Sequence, residues 1–321
     1  MPRTQGGCNG RAIAPTEDKG TSGETPAGRG RGTRAGSLVN WYARTGATPP
    51  FADPSRDHGV AMEGTFWRFT GAGRAVIVLH GRCHGPDGPW SLVALAAHPG
   101  GLVDWAIGDD LLEAEPDGLR VRLQRASLEA GWSSPRPWPR RAFGALGPAQ
   151  CVPWLGQYWH PHLLDGEARV ALGGDASFAA RVYSERNWGS DFAGHWWWGQ
   201  AHVDAATVAF AGGRLFGQAP TAVVVALEDR VLRVAPPLAR VATSTAPGEW
   251  RIRAGGVEIE ASADPAHAHV LPVPVPSGRD VVMRSRQHLA GRLALTVRRR
   301  GGIVFRGETE FAGLERGMPP A

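Results

Sequence analysis

Short runs rich in apolar residues, some of them alternating with polar residues, dominate the chain from residue 38 onward. The run LRVRLQ (119–124) alternates strictly, and further short runs such as RAVIVLHGRC (74–83), which is mainly apolar, and EWRIRAGG (249–256) lie between Gly, Pro and Asp turns. Successive side chains of a strand point to opposite faces, so short alternating runs spaced roughly 8–12 residues apart indicate strands. No long segment repeats with the helical period of about 3.6 residues. The pattern therefore predicts an all-β fold.

The runs form two series, separated by a Pro-rich and aromatic segment at 135–166. Five aromatic side chains in that segment predict that it packs on the protein instead of linking two parts freely. We expect two antiparallel β-barrel or β-sandwich halves packed together. The predicted bounds are 38–150 for the first half, 151–165 for the junction and 166–321 for the second half. Residues 1–37, which hold few large apolar side chains, are expected to be a disordered tail.

The net charge of +5 adds little to this picture. Residues 1–37 hold six basic and three acidic side chains, which leaves about +2 for the rest of the chain, with no basic stripe. This balance predicts no nucleic-acid partner. No apolar run is long enough for a spanning helix, and no apolar leader suggests a signal peptide. An odd set of cysteines (Cys8, Cys83 and Cys151) without metal or redox spacing favours a reducing, cytoplasmic location. Peripheral contact with a membrane stays open.

The segment 181–204 is unusual because it contains four tryptophans, three of them consecutive. If 196–204 and 178–185 are neighbouring strands, their mixed aromatic and polar faces lie side by side. Such a face suits the wall of a pocket for a hydrophobic small molecule. The alternative is a half-buried face with its polar groups in solvent. The residues that would share the wall are Arg181, Tyr183, Glu185, Trp196, Trp198, Gln200 and His202.

The sequence VYSERNWGSDFAGHWWWGQAH (182–202) resembles the tocopherol cyclase family, which has a Y-x-E-[KR]-N-W-G segment before a W-[FW]-W-x-Q strand. GVAMEGTFWRF (59–69) resembles the early E-G-W-[YF]-[FW] strand of that family, and GETEFAGLERG (307–317) its closing strand. The resemblance spans roughly 40–317. It implies two lipocalin-like barrels, as in a superfamily with carotenoid 1,2-hydratases and Diels–Alderase-type cyclases. Thr65 replaces a frequent aromatic, and Gly199 and Ala201 widen the small face of their strand, so we expect a substrate that differs from a tocopherol precursor.

The resemblance also implies a chemistry. Tocopherol cyclases close a chromanol ring on a prenylated quinol as cofactor-independent enzymes of the intramolecular lyase or isomerase type. An acid protonates the alkene, aromatic faces tolerate the cation, and the phenol oxygen attacks it. The expected function is such a cyclisation of a prenylated quinol or similar isoprenoid. Two alternatives remain: a hydratase of isoprenoid double bonds, and a non-catalytic lipocalin-like carrier of a hydrophobic ligand.

Glu185, Asp191 and Glu63 are the candidate acids, because a carboxyl held among aromatic rings has a raised pKa and stays protonated near neutrality. A salt bridge between Glu185 and Arg181 is the competing interpretation. His160 and His162 could hold a metal ion by alternation, but no third ligand has a useful spacing, so no metal site is predicted. Asn187 and Trp188 are candidates for ligand contact and equally for a structural turn. The remaining candidates for ligand contact are Tyr158, Trp159, His160, Arg181, Tyr183, Trp196, Trp198, Gln200 and His202.

Overall fold

The structure is a computed structural model that describes residues 41, 42, 44–215 and 217–318. The predicted tail at 1–37 lies outside these residues. Within them the chain forms nineteen strands and two 3-10 turns, Gly147–Cys151 and Pro265–His267. None of these helical turns is long and apolar enough to cross a membrane. The prediction of an all-β fold is confirmed.

Nine strands form the first sheet, in the spatial order β4-β3-β2-β1-β9-β8-β7-β6-β5, with antiparallel pairing throughout. The edge strands β4 and β5 are joined by the short link 108–111, so the sheet must curl until its edges approach each other. The strands are β1 Met62–Gly71, β2 Arg74–Gly85, β3 Gly88–His98, β4 Leu102–Ile107, β5 Leu112–Glu115, β6 Gly118–Arg122, β7 Ser127–Pro137, β8 Gln157–Leu172 and β9 Phe178–Gly189.

Ten strands form the second sheet, in the order β13-β12-β11-β10-β19-β18-β16-β15-β14, with β17 paired to β18. Its edge strands β13 and β14 are again consecutive, and the Thr243 hydroxyl of β14 donates to Thr221 Oγ1 of β12 at 2.8 Å. The strands are β10 Trp196–Val203, β11 Ala206–Gly213, β12 Thr221–Leu227, β13 Arg230–Val234, β14 Val241–Ala246, β15 Glu249–Ala254, β16 Val257–Ser262, β17 His269–Val275, β18 Asp280–Arg299 and β19 Gly302–Gly317.

Each curled sheet encloses its own apolar core, and a third core lies between the two sheets. Trp67, Phe69 and Val182 are buried inside the first sheet. Trp197 and Phe210 are buried inside the second. The inter-sheet core, so named here, contains residues of both sheets: Phe66, Tyr183 and Trp159 from the first, and Trp198, Ala209 and Val224 from the second. Alternate side chains along a strand thus face two different apolar cores, that of its own sheet and the inter-sheet core. The prediction of two lipocalin-like β halves packed together is confirmed.

The strand pairing and the position of the boundary between the two sheets differ from the sequence-based expectation. The expectation that 178–185 and 196–204 pair as neighbours is wrong, because β9 pairs with β1 and β8 whereas β10 pairs with β11 and β19. Their mixed faces meet instead across the inter-sheet core. The boundary between the sheets falls between Gly189 and Trp196, so β8 and β9 belong to the first sheet, although the predicted division is at 166.

The junction segment is only partly irregular. Its first residues end β7 and its last residues lie in β8, which leaves 138–156 without regular strands. Trp138 and Leu146 of this stretch pack against the inter-sheet core. Tyr158 and Trp159 are buried. Trp138, Tyr158 and Trp159 therefore anchor the segment to the body of the protein, whereas Trp154 is 65 % exposed.

Candidate active site

Glu185 lies in the middle of the inter-sheet core. It stands opposite Phe66 in the register of β9 and β1 and is 4 % exposed. The hydroxyl of Tyr183, two residues back on the same face, donates to Glu185 Oε2 at 2.6 Å. From the facing sheet, Trp198 Nε1 donates to the same oxygen at 2.8 Å. The carboxyl is therefore held by one donor from each sheet.

Burial raises the pKa of Glu185 to about 7, and the donors Tyr183, Trp159 and Trp198 oppose that rise. The indole N–H of Trp159 lies near enough to favour the ionised carboxylate, although it makes no hydrogen bond of normal geometry. Both hydrogen bonds that are formed address Oε2. In the protonated carboxyl the acidic proton therefore belongs on Oε1, the oxygen that neither donor occupies.

Aromatic rings surround this carboxyl. The rings of Phe66 and Trp198 meet edge to face, with centroids 5.0 Å apart, and Trp159 belongs to the same buried cluster. The negative faces of such rings stabilise a nearby cation when water is excluded. A protonated carboxyl beside these rings has the components needed to form and tolerate a carbocation.

Arg181 does not pair with Glu185, so the predicted alternative of a salt bridge between them is wrong. Its guanidinium is bidentate on Asp165, with Nε at 2.9 Å from Oδ1, and also donates to the carbonyl of Asp204. In the β8·β9 register Arg181 stands opposite Glu167, which is two residues along β8 from Asp165. Among the residues that the structure describes, Glu185 consequently has no basic partner.

His202 and Gln200 extend the polar row along β10. His202 Nδ1 lies 3.1 Å from Thr207 Oγ1 and 3.7 Å from Asp165 Oδ1. Burial, with Arg181 and Arg68 nearby, lowers the pKa of His202 far below its ordinary range, so the ring is neutral. Gln200 accepts a hydrogen bond from Arg68 at 2.9 Å. His202 Nε2 and Gln200 Nε2 are buried without a partner among the described residues.

Arg68 is a residue that the sequence analysis missed. It is fully buried and has no carboxylate partner among the residues described. Its NH2 donates to the carbonyls of Leu289 and Phe311 at 2.9 and 2.6 Å. Both carbonyls lie where a bulge interrupts the β18·β19 ladder. Arg68 thus ties the first sheet to the second by satisfying carbonyls that the bulge releases.

The other two candidate acids are elsewhere. Asp191 is exposed in the link 190–195, where its Oδ1 accepts the N–H of Phe192. Glu63 is on the opposite face of β1 from Phe66, and its two oxygens accept from His58 N, Gly59 N and Arg186. That arrangement is typical of a structural carboxylate that fixes a loop to a strand.

Tyr158 and Trp188 belong to a separate cluster at the end of the first sheet. Trp188 stacks between the rings of His58 and Tyr158, with centroid distances of 4.1 and 5.6 Å, and its indole donates to Gly46 O. Asn187 shares the face of Glu185 and packs on Gly64, where a Cβ would lie 2.6 Å from Asn187 Oδ1. The structure therefore does not bring Tyr158 or Trp188 to Glu185.

His160 is buried beside Trp138, and its Nδ1 accepts the N–H of Ala145 at 3.4 Å. Burial, then the charges of His162 and His58, lower the pKa of His160 to about 3, so it is neutral. Among the described residues, no group of three His, Cys, Asp or Glu side chains has the geometry of a metal site. The small face of β10 is filled by a neighbouring strand, because a Cβ at Gly199 would lie 2.3 Å from the Phe210 ring.

Trp196, the last of the predicted ligand contacts, is hydrogen-bonded to a second buried carboxyl. Its Nε1 donates to Glu315 Oε1 at 2.7 Å. The Ser285 hydroxyl donates to the same oxygen at 2.8 Å, and Gln287 Nε2 donates to Oε2 at 2.7 Å. Burial raises the pKa of Glu315 to about 6, and the bonds from Trp196 and Ser285 oppose that rise.

Residues 170–318 match the family model described as tocopherol cyclase-like. This segment is similar to the tocopherol cyclase-like family. The match confirms the resemblance found in the 182–202 block and the closing strand, and the matched segment contains Glu185, Trp198 and Glu315. No curated protein matches the chain significantly.

The fold is similar to that of one solved structure, and two further structures resemble the chain more weakly. The chain is similar to a protein described as AttH from Nitrosomonas europaea, with 14 % identity, 83 % of this chain and 95 % of that chain covered, and a TM-score of 0.53. Kievitone hydratase from Nectria haematococca has 11 % identity, 80 % and 89 % coverage and a TM-score of 0.48. CghA has 14 % identity, 86 % and 94 % coverage and a TM-score of 0.49. At these identities, the likeness to AttH establishes the lipocalin-like fold alone.

Proposed function

We propose that this protein cyclises a prenylated quinol, or a similar isoprenoid bearing a hydroxyl, by acid-initiated addition to a double bond. The observation that carries the proposal is the Glu185 carboxyl. It is buried among aromatic rings, burial raises its pKa to about 7, and it has no basic partner within the described part of the chain. The segment that matches the tocopherol cyclase-like family model supports the substrate class, because it contains the Glu185 carboxyl and Trp198, which donates to it.

In the proposed reaction, the alkene π pair takes the proton from Glu185 Oε1. The new C–H bond leaves a tertiary cation, which the rings of Trp198 and Phe66 stabilise. The hydroxyl oxygen of the substrate then attacks the cation and closes the ring. Substrate and product are isomers with the same oxidation level, so the reaction is of the intramolecular lyase or isomerase type.

The two hydrogen bonds to Oε2 give the acid its orientation. Tyr183 and Trp198 fix the plane of the carboxyl, which keeps Oε1 aimed away from both donors. Since Glu185 is 4 % exposed, the substrate reaches it only if the layer between the sheets opens. Closure around the substrate would exclude water, and the internal hydroxyl would then capture the cation in preference to water.

The test is Glu185→Gln, which keeps the size and hydrogen bonding of the side chain but removes the acidic proton. With a prenylated quinol as trial substrate, turnover should fall by ~100-fold or more while ligand affinity is retained. Trp198→Phe should lose less, because an aromatic face remains. Glu129→Gln is the matched control, because Glu129 is exposed on β7 and pairs only with Arg120.

The products and rates separate the alternatives. Binding without turnover in the parent protein would establish a carrier and refute the proposal. A product that has gained water would establish a hydratase. A well-folded Glu185→Gln protein that cyclises at the parent rate would remove Glu185 from the mechanism.

A further inference from the structure

The cyclisation proposed above needs a base as well as an acid. When the hydroxyl oxygen attacks the cation, it must lose its proton, and Glu185 has just become a carboxylate with its own proton transferred to carbon. A second carboxylate in the same space would let the acid and the base act in one closed site. The inference that follows rests on the proposed function.

Glu315 lies on the same inter-sheet layer as Glu185. In the β10·β19 register it stands directly opposite Trp198, whose indole donates to Glu185. Trp196, two residues earlier on the same face of β10, donates to Glu315. Strand β10 therefore holds both carboxyls, Glu315 through the indole of Trp196 and Glu185 through the indole of Trp198, two residues further along the strand.

The bulge in β18·β19 is what turns Glu315 toward this layer. Before the bulge, odd-numbered residues of β19 such as Phe305 face the core of the second sheet, whereas after it Ala312 and Leu314 do so. The change of parity sends Glu315 to the opposite face. Arg68 satisfies the carbonyls of Leu289 and Phe311 at this interruption, so the first sheet itself stabilises the orientation.

The donors around the two carboxyls differ in a way that suits opposite roles. Glu315 accepts hydrogen bonds from the side chains of Trp196, Ser285 and Gln287, and these bonds involve both of its carboxyl oxygens. Among the described residues, two hydrogen bonds of normal geometry reach Glu185, from Tyr183 and Trp198, and both address Oε2, whereas the Trp159 indole lies nearby without such a bond. More donors favour the ionised form. Two further buried polar atoms have no hydrogen-bond partner among the described residues. They are Trp159 Nε1, beside Glu185, and Gln287 Oε1, beside Glu315.

We propose that Glu315 is the catalytic base that takes the proton of the attacking hydroxyl while Glu185 acts as the acid. In this step the substrate O–H bond breaks, the C–O bond forms, and the proton passes to the Glu315 carboxylate. Glu185 ends as a carboxylate and Glu315 as an acid. A proton returning from Glu315 to Glu185 through water resets the site, with no net change in protons.

The pKa values agree with this assignment. The pKa of Glu315 is about 6 and that of Glu185 about 7, and the charge of Glu315 is one of the causes that raise the latter. Between these values the acid is protonated and the base ionised. Activity should therefore fall below about pH 6, as Glu315 takes up a proton, and above about pH 7, as Glu185 loses one.

The experiment compares Glu315→Gln with the parent protein over a range of pH, using a prenylated quinol. Turnover should fall ~100-fold at neutral pH, and the loss of activity on the acidic side should disappear while that on the alkaline side remains. The loss should shrink for a prenylated phenol with electron-withdrawing substituents, whose hydroxyl ionises without help. Glu308→Gln is the control, because Glu308 is exposed on the same strand and pairs with Arg292.

A second readout does not depend on turnover. In Glu315→Gln the infrared band of the protonated Glu185 carboxyl should titrate at a lower pH than in the parent, because a nearby negative charge is gone. An unchanged Glu185 titration, or an acidic side of the profile that persists in Glu315→Gln, would overturn the assignment. If the parent is active and only Glu185→Gln fails, the proposed function stands without Glu315. If the parent cyclises no prenylated phenol, both fail.

Discussion

Replacing Arg68 by Met should destabilise the protein strongly, although no charge pair is broken. The side chain donates to Thr70, Gln200 and the carbonyls of Leu289 and Phe311, at 2.6–2.9 Å. Methionine has a similar length but no donors. Two bulge carbonyls and the Gln200 oxygen would remain buried without a partner.

The magnitude follows from these contacts. Each orphaned acceptor costs about 1–3 kcal/mol. The sum is offset because a buried cation, whose pKa burial lowers to about 9, no longer has to be desolvated on folding. We expect a net loss of about 3–5 kcal/mol in the free energy of unfolding, which is typical of removing one side of a buried charged network.

Urea unfolding monitored by tryptophan fluorescence measures this loss. Arg120→Met is the matched control, because Arg120 lies on an exposed strand face beside Glu113 and Glu129, and no measurable change is expected. A fully stable Arg68→Met protein would refute the reasoning, since it would mean that the bulge carbonyls do not depend on Arg68.

Three further outcomes follow from the same structure. The folded state keeps a proton on Glu185 that the unfolded chain releases above its ordinary pKa of 4.5, so the parent should lose stability as pH rises from 4.5 to about 7. Glu185→Gln should lack that loss, a difference of about 3 kcal/mol at pH 8. Gly317→Ala should lower the melting temperature, unlike Gly302→Ala, because a Cβ at Gly317 would lie 1.9 Å from the Trp196 ring, whereas a Cβ at Gly302 would come no closer than 3.8 Å to its nearest neighbour, Arg299 O. Limited proteolysis should spare 138–156, and rapid cutting near Gly147 or Gly156 would show that this segment is not packed.

Local pattern predicted the strands and most of their faces. Trp196, Trp198, Gln200 and His202 do share one face of β10, and Tyr183 and Glu185 share one face of β9. Period-two alternation requires only that a strand be regular, and these two strands are. Pairing partners were not predictable from the same signal, because β9 returns to β1 across more than a hundred residues of chain.

The residues that sequence analysis missed depend on features that are not local. Glu315 looks like Glu308 and Glu310 of the same strand until the bulge reverses the alternation. Arg68 carries one sequence signal, a charged residue inside the apolar run TFWRF, which indicates burial with a partner but does not identify it. The sequence shows that Gly199 gives its strand a small face, but not that Phe210, on a different strand, fills the space beside it.

The central claim is that Glu185 is a carboxylic acid near neutral pH. Infrared difference spectra between the parent and Glu185→Gln, recorded from pH 4 to 9, isolate its carboxyl band. We predict that the protonated band persists at pH 6 and titrates with a pKa of about 7. A band that disappears at the ordinary pKa of about 4.5 would mean that Glu185 is ionised at neutral pH, and it would contradict the account.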